Sequence, residues 1–150
     1  MSVLVVDDAT IMRIVLKDIL IKHCKYAKAE VIEATSGERA IFLYKKHQPE
    51  LVLLDIGMPG LSGLDVVKAI IQVDPEAKII MCTSSKDKSD VVECIVAGAK
   101  DYIVKPPEIE RIKTAITKVT GRTFDSDEEE EEEETNEADN KTSDTDNNVI

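Results

Sequence analysis

Four short apolar runs punctuate the chain, and each ends in a residue able to do chemistry. Val3–Val6 leads into Asp7 and Asp8, residues 51–54 into Asp55, residues 79–82 into Thr83, and residues 102–104 into Lys105. Runs of this length, rich in Val, Ile and Leu and separated by longer helical patterns, read as strands of a parallel α/β sheet. In open α/β sheets the ligand crevice lies outside the carboxyl ends of the strands. Carboxylates, a hydroxyl and an ammonium from distant parts of the chain are therefore expected to converge there.

Between the runs the helical pattern is regular. A first helix is expected over Thr10–His23, with Met12, Val15, Leu16 and Ile19 as its apolar stripe. A weaker strand is expected over residues 30–34. A second helix opens near Ser36, a good N-cap residue, and ends before Pro49. A third covers residues 64–73 and is closed by Pro75. A fourth covers Lys88–Ala97, with Gly98 as its C-terminal glycine. The last opens at Pro107, a favoured first helical position. It carries Ile109, Ile112, Ile116 and Val119 on one face, and Gly121 closes it. Five strands thus alternate with five helices. The strands are continuously apolar, so helices should cover both faces of the sheet. Crossovers must be right-handed. The expected strand order is 2-1-3-4-5, which sets the first and third strands side by side and brings Asp7 and Asp8 next to Asp55.

Charge divides the chain in two. Of the 150 residues, those from Thr123 onward hold thirteen Asp and Glu against one Lys. That is −12 of a total −11, so residues 1–122 carry +1. The acidity belongs to the tail. Residues 128–134 are seven consecutive glutamates, and such a segment cannot bury a core. A folded domain over residues 1–121 and a disordered acidic tail over 122–150 are expected. Nucleic acid selects basic proteins, so direct binding to it is not expected. Cys24, Cys82 and Cys94 are too few, and too apolar in setting, for a disulfide framework, which suits a reducing cytoplasm. A strand is expected at the very start of the chain, so a signal peptide is not expected. No apolar run approaches membrane-spanning length. His23 and His47 each sit near a helix C-terminus, where the dipole favours a cation, and neither has partners at metal-ligand spacing.

Taken in order, these residues resemble the response-regulator receiver family of two-component signalling. The resemblance rests on Asp7-Asp8, on Asp55 with the loop that runs on to Gly63, on Thr83, on Ala97-Gly98-Ala99 and on Lys105-Pro106. It covers residues 1–121, and the stand-alone chemotaxis members of the family are especially similar. It implies a doubly wound, flavodoxin-like fold. It implies Asp55 as acceptor of a phosphoryl group from the phosphohistidine of a sensor kinase. Asp8 and Asp55 become direct ligands of Mg²⁺, with Asp7 acting partly through water and the Gly57 carbonyl as a further ligand. Lys105 becomes a phosphate ligand, and Thr83 and Tyr102 become the pair that reports phosphorylation. A cis peptide before Pro106 is implied as well.

The physical chemistry of the residues agrees. Three carboxylates in one crevice repel one another unless a cation offsets them. Mg²⁺ takes about six oxygens, commonly from one or two carboxylates together with waters and phosphate oxygens. A carboxylate needs no general base to act as nucleophile, because it is already ionised near neutral pH. The expected partners are a sensor histidine kinase and a protein target, a flagellar motor component first and a histidine phosphotransfer protein second. A monomer is expected. A Mg²⁺-dependent phosphohydrolase would want a second Asp two residues after the nucleophile, where this chain has Gly57. A flavodoxin-like ligand binder would want a phosphate-cradling loop where Asp7-Asp8 stand. Three positions depart from the family pattern: Pro107, where an aromatic or aliphatic residue is usual, Ser84, where alanine or glycine is usual, and Gly57, which with Ser85 offers little to position a hydrolytic water.

Overall fold

The computed structural model describes residues 1–84 and 88–124. Ser85 and the acidic run after Phe124 lie outside the described residues. Five strands form one parallel sheet: β1 (Val3–Val6), β2 (Val31–Ala34), β3 (Leu51–Asp55), β4 (Ile79–Thr83) and β5 (Asp101–Val104), in the order β2-β1-β3-β4-β5. The helices are α1 (Thr10–His23), α2 (Gly37–His47), α3 (Gly63–Val73), α4 (Lys88–Ala97) and α5 (Ile109–Thr120).

Alternation along each strand divides the core between two layers. Leu4, Val6, Val52, Leu54, Ile79 and Met81 point to one face, where Ala40, Leu43, Val67, Ile70 and Cys94 from α2, α3 and α4 cover them. Val3, Val5, Leu51, Leu53, Ile80 and Ile103 point to the other, against Leu16, Leu20, Ile112 and Ile116 from α1 and α5. All three cysteines are buried, and none is in a disulfide. Among the described residues no helix is long and apolar enough to cross a membrane.

Several expected boundaries shift, each for a local reason. Glu30 belongs to a short 3-10 turn over Lys28–Glu30, not to β2, because its carboxylate accepts the Ala27 N–H at 2.8 Å and holds the chain in a turn. Helix α5 begins at Ile109 rather than at Pro107. Glu108, still extended at φ −105° and ψ 140°, supplies the carbonyl for its first bond, to Ile112 N–H. The apolar stripe of α1 is rotated from the one expected. Leu16, Ile19 and Leu20 are buried, while Val15 faces outward with Ile11 and Ile14. Strand β5 is not continuously apolar in its setting. It is an edge strand, so Asp101 and Ile103 are buried while Tyr102 and Val104 face out.

Gly121 closes α5 with φ +85°, but the packed chain continues past it. Phe124 is buried in the layer under α1 and α5. The Arg122 guanidinium lies 4.2 Å from the centre of the Tyr26 ring and 2.7 Å from a Glu50 carboxylate oxygen.

Candidate functional site

The expected residues meet at the carboxyl edge of the sheet. Val6 is in register with Leu54, so Asp7 leaves β1 beside Asp55 at the end of β3. One carboxylate oxygen from each of Asp7, Asp8 and Asp55 falls within a group spanning no more than 4.8 Å. Asp7 is 1% exposed and Asp55 7%, while Asp8 reaches solvent. Both buried carboxylates are held by backbone amides. Ala9 N–H donates to Asp7 Oδ1 at 2.9 Å, and Gly57 N–H donates to Asp55 Oδ1 at 3.1 Å.

Lys105 enters from the opposite side. Its backbone N–H donates to the Thr83 carbonyl at 2.7 Å, which ties the end of β5 to the end of β4. Its ammonium then reaches Asp55 Oδ1 at 3.0 Å and Asp7 Oδ2 at 3.1 Å. Burial alone would depress this ammonium. The hydrogen bonds and charges of Asp55 and Asp7 more than offset that, and its pKa lies above the ordinary lysine value. The Lys105–Pro106 peptide is cis.

Thr83 is buried, and its hydroxyl donates to the Ser84 carbonyl at 2.9 Å. Tyr102 is 42% exposed. Between them lies a cleft of about 300 Å³, lined also by Lys88, Val91 and Val104. Gly57 is exposed, and a Cβ built on it would meet nothing within 4 Å. The loop carrying it returns tightly to the sheet at Gly63, whose N–H donates to the Ile56 carbonyl at 3.3 Å. A Cβ there would sit 2.8 Å from Ile56 Cα.

Two arginines belong to this region and carry no signal along the chain. Arg13, one turn into α1, reads as part of a solvated helix face. It donates to the Asp7 carbonyl at 2.9 Å and pairs with Glu33 at 3.0 Å. Arg111 on α5 pairs with buried Asp101 at 3.1 Å and lies 5.8 Å from the centre of the Tyr102 ring.

The donor set suits a hard divalent cation. It is all oxygen, and three formal negative charges against the one on Lys105 leave −2. A doubly wound sheet with an acidic, lysine-bridged pocket at its topological switch point describes a receiver domain. A family model, the response regulator receiver domain, matches residues 3–117, and the chain belongs to that family. It is 47% identical over 119 residues to the chemotaxis protein CheY of Thermotoga maritima, covering 79% of this chain and 96% of that one. It is 46% identical over 116 residues to CheY of Bacillus subtilis, covering 77% and 94%. Among solved structures, the response regulator TrrA of Thermotoga maritima in complex with Mg²⁺-BeF superposes with a TM-score of 0.69 at 36% identity. That match covers 79% of this chain and 99% of TrrA.

Proposed function

We propose that this response regulator is a phosphorylation-driven switch of a chemotaxis pathway, and that Asp55 takes its phosphoryl group from a sensor histidine kinase. The observation that carries this reading is the convergence of three carboxylates on one point, with the Lys105 ammonium bridging two of them. In the transfer, an Asp55 oxygen forms the new P–O bond and the P–N bond to the donor imidazole breaks. The released nitrogen keeps the electron pair and takes a proton. Asp7, Asp8, Asp55 and the Gly57 carbonyl would hold Mg²⁺, which would supply charge neutralisation for the transferred oxygens.

The remaining steps belong to the chain itself. Lys105 gives up a carboxylate contact and pairs with a phosphoryl oxygen, a role suited to a compact ammonium on a flexible stem. The Thr83 hydroxyl turns from the Ser84 carbonyl toward the new phosphoryl group. Tyr102 then moves into the cleft of about 300 Å³ beside Thr83, changing the face formed by α4, β5 and α5. The phosphoryl group stabilises one of two packings already available to the domain. The chemotaxis setting, with a flagellar motor component as target, rests on the similarity to CheY proteins across nearly their whole length.

Intact-protein mass after incubation with a small phosphodonor, with and without Mg²⁺, tests the reading. The expected result is a Mg²⁺-dependent gain of one phosphoryl group by the natural chain and none by Asp55→Asn. A gain that persists in Asp55→Asn, or no gain in the natural chain, overturns it.

A further inference from the structure

We propose that the acidic segment 125–134 docks on its own domain, along two lysine-lined clefts at the C-terminal end of α5. The first cleft, about 420 Å³, is lined by Lys113, Thr117, Lys118 and Phe124, with Glu110 at its rim. The second, about 270 Å³, is lined by Lys78, Lys100 and Lys118, with Glu76. Lys118 borders both and joins them into one strip. Four lysines there face two glutamates. Lys113 lies 3.8 Å from Glu110, and Lys118 lies 3.9 Å from Asp101.

Three observations name the occupant. Phe124 is buried and lines the first cleft, so the segment starts at this strip. Nine of the ten residues 125–134 are Asp or Glu and none is basic, which complements the strip in sign. The third is length: ten extended residues cover roughly 33 Å. Each surface ion pair is individually weak. A short tether, however, holds the segment at millimolar effective concentration, and its own like charges are relieved by any countercharge.

The docked position has a consequence for the surface. Lys78 and Lys100 directly precede β4 and β5, so the strip lies at the edge of the sheet opposite Asp55. It adjoins Asp101, next to Tyr102, through Lys118. The acidic segment shields the lower part of that face from acidic ligands and yields it to a basic one. This contact is independent of phosphoryl chemistry at Asp55.

Zero-length carbodiimide cross-linking of the full chain, followed by peptide mapping of the monomeric and of the dimeric fraction, tests it. The expected links join residues 125–134 to Lys78, Lys100 or Lys118, at several-fold the yield found at Lys45, Lys46 or Lys68. Raising ionic strength from about 0.1 M to about 1 M shortens screening from about 10 Å to about 3 Å and should remove most of the excess. Lys100→Glu with Lys118→Glu, in a chain whose circular dichroism is unchanged, should also remove it. Even linkage at every exposed lysine overturns the proposal. So do links found only between chains, which would make a second copy the occupant, and an excess indifferent to the charge reversal.

Discussion

The Lys105 ammonium lies 3.0 Å from Asp55 Oδ1, although fifty residues separate the two in the chain. The same ammonium touches Asp7 at 3.1 Å. One cation therefore offsets two buried carboxylates, and the third, on Asp8, is left to solvent and to any bound metal.

Removing that cation should be costly, and the loss should be recoverable. Lys105→Ala leaves Asp7 and Asp55 side by side, so the fold is expected to lose about 1–3 kcal/mol in the absence of divalent ions. Mg²⁺ should then raise the melting temperature of the variant more than that of the natural chain. Thermal melts with Mg²⁺ and with chelator check this. An equal Mg²⁺ effect in both chains would contradict the role given to Lys105.

Gly63 is expected to act on the site without touching it. In Gly63→Ala the new methyl meets Ile56 Cα at 2.8 Å, and backbone cannot rotate out of the way as a side chain can. The loop that carries Gly57 must shift. A stability loss of about 1–3 kcal/mol is expected, together with slower phosphorylation. Urea denaturation and the phosphodonor mass assay read the two effects separately.

Phe124 should prove part of the folded unit. Phe124→Ala empties a site in the layer under α1 and α5, for an expected loss of about 3–5 kcal/mol. A chain ending at Gly121 should lose at least as much, because it also gives up the Arg122 contacts with Glu50 and Tyr26. One ending at Phe124 should lose far less, giving up only the weak surface ion pairs of the segment that follows. Chemical denaturation of the three chains decides it.

Alkali should weaken the fold. Burial pushes the Cys82 thiol up from 9.0 to about 12 and the Cys94 thiol to about 11. Burial and hydrogen bonds to Glu50 and Asp74 also raise the Tyr26 and Tyr44 hydroxyls. Each group stays protonated in the folded chain at a pH where the unfolded chain has released its proton. Stability is thus intact below about pH 9 and falls as pH rises toward 11–12. Urea midpoints should be level between pH 7 and 8 and lower at pH 10 than at pH 9. Below pH 9 the folded chain should also resist alkylation at all three buried cysteines.

Much of the architecture was legible along the chain because it follows from local pattern. Runs such as 51–54 read as buried strands, and Gly98 and Gly121 stand where helices stop. The strand order expected from the pattern sets Asp7 beside Asp55. Less visible was whatever depends on which side of an element meets another. Val15 and Ile109 have helical spacing for the core, yet the docking angle turns both outward. Tyr102 and Val104 read as buried strand residues until β5 proves to be an edge.

The sequence by itself determined the alternation of strands and helices, the polar residues at the strand ends, and the concentration of acidity after Thr123. These are set by residue type and near-neighbour spacing, which local sterics and hydrophobicity act on directly. Only the tertiary structure decided that Lys105 bridges Asp7 and Asp55, that Arg13 holds the Asp7 carbonyl, and that Phe124 closes a core begun by Val3. The Lys105–Asp7 contact joins residues 98 positions apart in the chain, and one core layer runs from Val3 to Phe124. They depend on the twist and packing of whole layers, which no short window of sequence contains.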